Sequence, residues 1–446
     1  MFRPTGQRTG VNMRAIASSR MILLCGLLAV CALPAQDSVA GLESADERER
    51  VNAIRALAKS PDGFRHLDKL AHLLSDDSEE VRVELVTALI KMRTIEAQPL
   101  LIKAAADLSP NVQAMAVDGL VTLYVPDYVK LGRLAKLKSI ASSLKSRFSK
   151  PSPLVVSEYV NVNPAALEAI ADVLRRGGSN AAKANAARAL GVLRGTGHAD
   201  ALVEGARSRD STAIVESVLA IKKIQASSVG PDIVFLLRDP APRVQEAAIL
   251  TVGQLQTPEA VPQLVQICQG SGKARIRAHA LTALAKIPDN GQRRLFTGFL
   301  SNKDKLLRAA AAEGLGRLGN TADARVVDHQ FSIERAEGVR LSLAFAGVLL
   351  GNPLRLAYLI EGLNSTARRL EARPFLVELA RDPEILSKLY IPLTTGSVSQ
   401  RRHLAFVLSQ SGTRESIPHL ENLTRDGIPE VSSAAVEALR VLRARL

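Results

Sequence analysis

Apolar residues recur along the chain at helical spacing in short stretches, and the stretches themselves repeat. In Val81-Arg82-Val83-Glu84-Leu85-Val86-Thr87-Ala88-Leu89-Ile90 the apolar positions 81, 85, 88 and 89 fall on one helical stripe. Such stretches end in a small residue followed by a large aliphatic one: Ala56-Leu57, Ala88-Leu89, Gly119-Leu120, Ala189-Leu190, Ala220-Ile221, Thr251-Val252, Ala283-Leu284 and Gly314-Leu315. The separations are 32, 31, 70, 31, 31, 32 and 31 residues, the 70 reading as two periods plus a short insertion. Beyond residue 315 the phase runs on less clearly through Val348 and Leu408 to Ala438-Leu439. A stripe this narrow cannot close a core alone, so neighbouring units must cover it. The expected fold is all-α: a right-handed α-solenoid of about 12–13 helix pairs, each of about 31 residues.

A second set of positions repeats with the same phase. Pro99, Asp107 and Gln113 are spaced by 8 and 6 residues, as are Pro231, Asp239 and Gln245; Pro418 and Asp426 keep the 8, and Asp76 and Arg82 the 6. This pattern resembles HEAT repeats, and the run from Arg238 to Ala248 resembles the short bacterial variety named for phycobilisome lyases. The resemblance implies a Pro that kinks the first helix, an Asp in the turn, and a basic residue on the second helix reaching an Asp. The Asp is also well placed as the N-cap of the helix that follows. Departures are Gln or Glu in place of the basic residue at 113, 216 and 245, and Ser271 and Asn302 in place of the turn Asp.

The chain of 446 residues carries 58 Lys and Arg against 44 Asp and Glu, a net charge of +14. Part of that excess is an address. Four Arg and no acid precede the thirteen-residue apolar run Met21 to Leu33, the layout of a secretory signal peptide and too short to span a bilayer. Residues 1–40 are therefore expected to direct export to the periplasm or beyond, with cleavage after Ala40 or Ala35. Lipidation at Cys31 is disfavoured, since Val30 stands where a lipobox wants a small residue. Removal of the leader leaves Cys268 as the one thiol, read as a buried structural side chain.

The remaining order is 41–123 repeats, 124–163 an irregular basic insertion, 164–330 regular repeats, and 331–446 divergent repeats with a C-terminal cap. Between Tyr128 and Ser157 stand Lys130, Arg133, Lys136, Lys138, Lys145, Arg147 and Lys150 without an acid, on a sequence whose apolar stripe predicts an amphipathic helix over 130–150. It could contact an anionic membrane surface or an acidic partner. A further group of Arg368, Arg369 and Arg373 lies in the divergent region.

Catalytic chemistry finds little support. None of the seven His sits in a metal-binding motif, no phosphate-cradling loop occurs, and 3% aromatic content argues against nucleic-acid stacking platforms. The expected function is a non-enzymatic scaffold for protein partners, with no cofactor, metal or nucleic acid. Its expected contact residues, on the second helices, are Arg82, Arg243, Gln245, Arg275, Arg277 and Arg308. The alternatives are recruitment to anionic lipid through 130–150 and, least favoured, a bilin lyase-like enzyme on the same scaffold.

Overall fold

The computed structural model describes residues 39–446 apart from 127, 130–147, 149–151, 158, 271 and 288. The leader up to residue 38 and all seven basic positions from Lys130 to Lys150 therefore lie outside the described residues. What is described is an all-α solenoid. Long second helices start at Glu47, Glu79, Pro110, Asn180, Ser211, Pro242, Ala274, Lys305, Glu337, Thr366, Val398 and Pro429, each preceded by a helical segment that is shorter except for Pro164–Arg176, which equals its partner in length. The spacing of about one period holds through the region where the sequence motif fades, because apolar burial and not the turn motif carries the register. Leu341, Ala344, Leu376, Leu404, Leu408 and Leu442 are all buried.

Second helices pack against second helices more closely than first helices pack against first helices. The row of second helices is therefore the inner side of the array, and the first helices form the outer side. The small residue of the repeated pair sets this closeness. It is the tenth residue of its helix, and it meets the twelfth residue of the preceding second helix. A Cβ added to Gly191 would lie 2.9 Å from the Ala220 Cβ, one on Gly253 2.6 Å from the Ala283 Cβ, and one on Gly316 3.0 Å from the Ala346 Cβ.

Between units the turns are joined by an offset ladder. In four units the fourth residue of the second helix reaches the acid in the following unit's turn: Arg50 to Asp76 at 2.7 Å, Arg82 to Asp107 at 2.7 Å, Arg308 to Glu334 at 2.7 Å and Arg401 to Asp426 at 3.0 Å. The same guanidiniums donate backwards to their own turn, Arg82 to the Asp76 carbonyl at 2.6 Å and Arg308 to the Asn302 carbonyl at 2.8 Å. So the six-residue spacing of Asp76 and Arg82 does not mark a carboxylate pair within the unit, as it first suggests. The carboxylate of each of these four turns belongs to the Arg about 26 residues earlier.

Three further expectations are corrected. The turn Asp is not the N-cap: Ser78 and Ser109 cap their helices, while Asp76 and Asp107 accept from the N–H two residues on, at 2.9 and 2.7 Å. Pro99 and Pro231 do not kink the first helices; they sit in the first turn, where the missing N–H costs nothing. Glu216 is not a replaced ladder residue. It is the sixth residue of Ser211–Ile224, two beyond the ladder position held by Ile214.

The 70-residue step resolves as one period plus a long insertion. Helix Asn180–Val192 packs directly on Pro110–Tyr124: the Asn185 amide donates to the Asp118 carboxylate at 3.0 Å and to the Ala114 carbonyl at 3.1 Å. Gln113 substitutes for a ladder Arg because the facing turn, Gly177-Gly178, offers an N–H and no carboxylate. Its amide donates to the Asp107 carbonyl at 2.7 Å and accepts from Gly178 N–H at 2.9 Å.

The ladder makes stability depend on pH. The Arg308 side chain, helped by the Ala336 N–H, holds the Glu334 carboxyl down at about 2, although its burial opposes this. A carboxyl held below its unfolded value of about 4.3 stabilises fully above that pH, and the contribution disappears as pH falls towards the folded value. Glu334→Gln is expected to be less stable than wild type at pH 7 in urea titration. The difference should shrink from about pH 4 downwards and close near pH 2; a gap independent of pH contradicts the assignment.

Candidate functional site

The inner row carries the exposed chemistry. Along each second helix the second, sixth, ninth and thirteenth residues share the inner stripe, and polar side chains there pair between units. The ninth residue meets the sixth of the next helix: Arg55 with Glu84 at 2.8 Å, Arg188 with Glu216 at 2.6 Å, and Glu313 with the Ser342 hydroxyl at 3.2 Å. Arg188 and Glu216 form a bidentate pair, each side chain only 5% exposed. Burial raises the Glu313 carboxyl despite Arg317, which binds it at 3.0 Å and also reaches Glu378 at 2.7 Å.

Three half-buried lysines stand at the helix ends on this side. Burial lowers Lys222 and Lys286, and pushes Lys223 down to about 8. Arg188 and Lys222 add to the Lys223 shift and Glu216 opposes it. Lys286 donates to the Gln254 side chain at 3.1 Å. This is a cationic, partly desolvated stretch of inner surface.

Part of the insertion lies across it. Val156 N–H donates to the Val192 carbonyl at 2.8 Å, Lys223 Nζ to the Leu154 carbonyl at 3.1 Å, and Arg243 Nη2 to the Phe148 carbonyl at 2.9 Å. Phe148 and Val156 are buried, and the Arg188 guanidinium carbon stands 4.9 Å from the Phe148 ring centroid. A groove of about 300 Å³ remains between Ser152, Pro153 and Val155 on one side and Leu219, Ala220 and Lys223 on the other. Residues of three successive units, beginning at Asn180, Ser211 and Pro242, thus hold one non-helical segment mainly through its backbone.

The six contact residues expected from sequence divide by position. Arg243 and Arg275 are second residues of their helices, on the inner stripe and exposed; Arg275 meets Glu246 at 2.5 Å. Arg82, Gln245, Arg277 and Arg308 are fourth residues, turned towards the inter-helix turns. Arg82 and Arg308 are engaged by the ladder, Gln245 donates to the Leu237 carbonyl at 2.8 Å, and Arg277 donates to the Cys268 carbonyl at 2.9 Å. Sequence reasoning missed the inner positions proper, Arg188, Glu216, Lys223, Lys286 and Arg317. Their signal was a polar residue inside an otherwise apolar helix, recurring with the period.

Cys268 is fully buried and its thiol is pushed up to about 12 by burial. Among the described residues, no group of three or more His, Cys, Asp or Glu is arranged to hold a metal ion. Among them also, no helix is long and apolar enough to cross a membrane.

A sequence profile of HEAT repeats matches residues 36–121, 199–273 and 261–346, together just over half of the chain. No curated protein sequence matches it. Among solved structures, the karyopherin Kap121p is similar at 11% identity and a TM-score of 0.45, covering 92% of this chain and 57% of that one. Kap121p bound to the extreme C-terminus of the protein phosphatase Cdc14p gives 12%, 0.44, 92% and 57%. An engineered protein gives 18% identity, a TM-score of 0.34, and coverage of 92% and 98%. The chain spans little more than half the length of the karyopherin chains it matches.

Proposed function

We propose, since the chain belongs to the HEAT-repeat family, that it is an exported, non-enzymatic scaffold that binds an extended segment of a protein partner along its inner row of helices. One observation carries this reading: three successive units already hold a non-helical stretch of polypeptide there, by Val192, Lys223 and Arg243 bonding to main-chain groups. Main-chain recognition suits any chain that lies along the row, and the inner side chains then select among sequences. The long array supplies many weak contacts in series. Export rests on the leader's charge and apolar run.

Site-specific photo-crosslinking tests both parts of the surface assignment. A benzophenone amino acid at Leu219 or Thr282 on the inner row is expected to capture a partner protein in intact cells. The same label at Glu259 or Asp232 on the first-helix side is not. Capture from the outer positions alone would overturn the reading. Edman sequencing of the mature protein, beginning at residue 36 or 41, is the outcome expected for an exported chain.

A further inference from the structure

Both inter-unit ladders lose their anionic member at the same junction, between helices Thr366–Leu379 and Val398–Ser411. Arg369 holds the ladder position of the first, but the facing turn offers Thr395, whereas Arg50, Arg82, Arg308 and Arg401 each face an Asp or Glu. On the inner stripe the ninth residue is Pro374, which has no polar side chain to meet His403, the sixth residue of the next helix. On the C-terminal side the turn ladder resumes, Arg401 meeting Asp426 at 3.0 Å.

The result is a local excess of positive charge. Burial above all, and then the three cations Arg369, Arg373 and Arg402, push the His403 imidazole down to about 4, so it is neutral at pH 7. Among the described residues, no carboxylate lies within 4.0 Å of any of these three guanidiniums. Arg373 instead covers the Phe406 ring at 4.2 Å, and that ring is 39% exposed. Leu370, between Arg369 and Arg373, is 71% exposed. Guanidiniums without a carboxylate, interleaved with bare apolar side chains, leave both charge and apolar area for a partner to cover.

From this junction we infer a docking site for an acidic segment of a protein partner that also carries apolar side chains, bound by Arg369, Arg373 and Arg402 with Phe406 and Leu370 beneath it. The inference rests on the inner-row reading above and gives that row a chemistry. Carboxylates of the partner take the place of the missing turn acid and inner-stripe acid, and an aromatic or aliphatic residue between them covers Phe406. Guanidiniums suit carboxylates because two parallel N–H groups meet two oxygens. A bilayer fits less well, because Phe406 and His403 lie on the inner row, which a flat surface cannot follow.

Fluorescence anisotropy with the full chain tests the site. The probe is a labelled twelve-residue peptide alternating Glu with Leu and Phe; its comparators are the same peptide with Lys for Glu, phosphatidylserine vesicles and a single-stranded oligonucleotide. Arg369→Glu/Arg373→Glu is expected to weaken binding of the acidic peptide at least about tenfold, with helicity and the urea midpoint unchanged to show that the fold persists. Arg294→Glu/Arg325→Glu, at exposed positions of two first helices, should leave that binding as it is. Equal binding of the acidic peptide to wild type and the patch variant overturns the site, as does stronger patch-dependent binding of vesicles or oligonucleotide. Should partner capture from Leu219 fail while the peptide still binds in this pattern, the general reading falls and the site stands.

Discussion

Arg188→Ala is expected to destabilise the central units by about 3 to 5 kcal/mol, the cost of leaving a buried charge without its partner. Glu216 would be that charge. It keeps 4% of its surface, and its two oxygens accept from Arg188 Nε and Nη2 at 2.8 and 2.6 Å. The same substitution removes the cation facing Phe148, so the insertion should loosen together with helices Asn180–Val192 and Ser211–Ile224. Hydrogen exchange resolves the effect by region: protection should fall over residues 180–254 while residues 398–445 keep theirs, because an array transmits strain mainly to its neighbours. Arg188→Met/Glu216→Leu should recover most of the loss, since a well-packed apolar pair replaces a buried ion pair at little cost. A double variant as unstable as the single one contradicts the account.

Gly253→Val is expected to cost about 2 to 3 kcal/mol by overpacking. Its Cβ would lie 2.6 Å from the Ala283 Cβ and 2.7 Å from the Ala283 Cα, so helix Ala274–Lys286 must move as a body. A flexible side chain could yield; a backbone cannot. The array should therefore open at this junction, and limited proteolysis should cut first between residues 254 and 274, with the urea midpoint lowered. Gly253→Val/Ala283→Gly should restore part of the loss. If the single variant resists protease as wild type does, the close approach is not what sets the spacing.

Much of this architecture is legible in the sequence because one physical rule generates it. The small residue before a large aliphatic recurs because two helices touch there, and Gly253 against Ala283 makes the reason visible. The period, the helix pairs and the burial of Cys268 follow from the same apolar stripe. Pairings were less legible. Asp76 and Arg82 stand close in sequence, yet the ion pairs run Arg50 to Asp76 and Arg82 to Asp107, since the partner is chosen by the stacking of units and not by separation along the chain. The insertion misled for a related reason: 70 residues suggest two periods, whereas Asn185 bonded to Asp118 places the flanking units in direct contact. Arg369, Arg373 and Arg402 could be counted from sequence, but only the packing of helices Thr366–Leu379 and Val398–Ser411 brings them together around His403.

The Gly–Ala contacts also give the array a mechanical asymmetry. Along the inner row the second helices already meet with no atom to spare, at Gly191 and Ala220, Gly253 and Ala283, and Gly316 and Ala346. Tightening the curve would press carbon against carbon, where repulsion climbs steeply. Relaxing it gives up only dispersion and the flexible ion pairs that bridge the units. The protein is thus a spring wound to its stop: it can straighten to admit a thicker guest and return, but it cannot close further around a thin one. Small-angle scattering on mixing with a ligand of the inner row should accordingly show a radius of gyration that stays constant or grows.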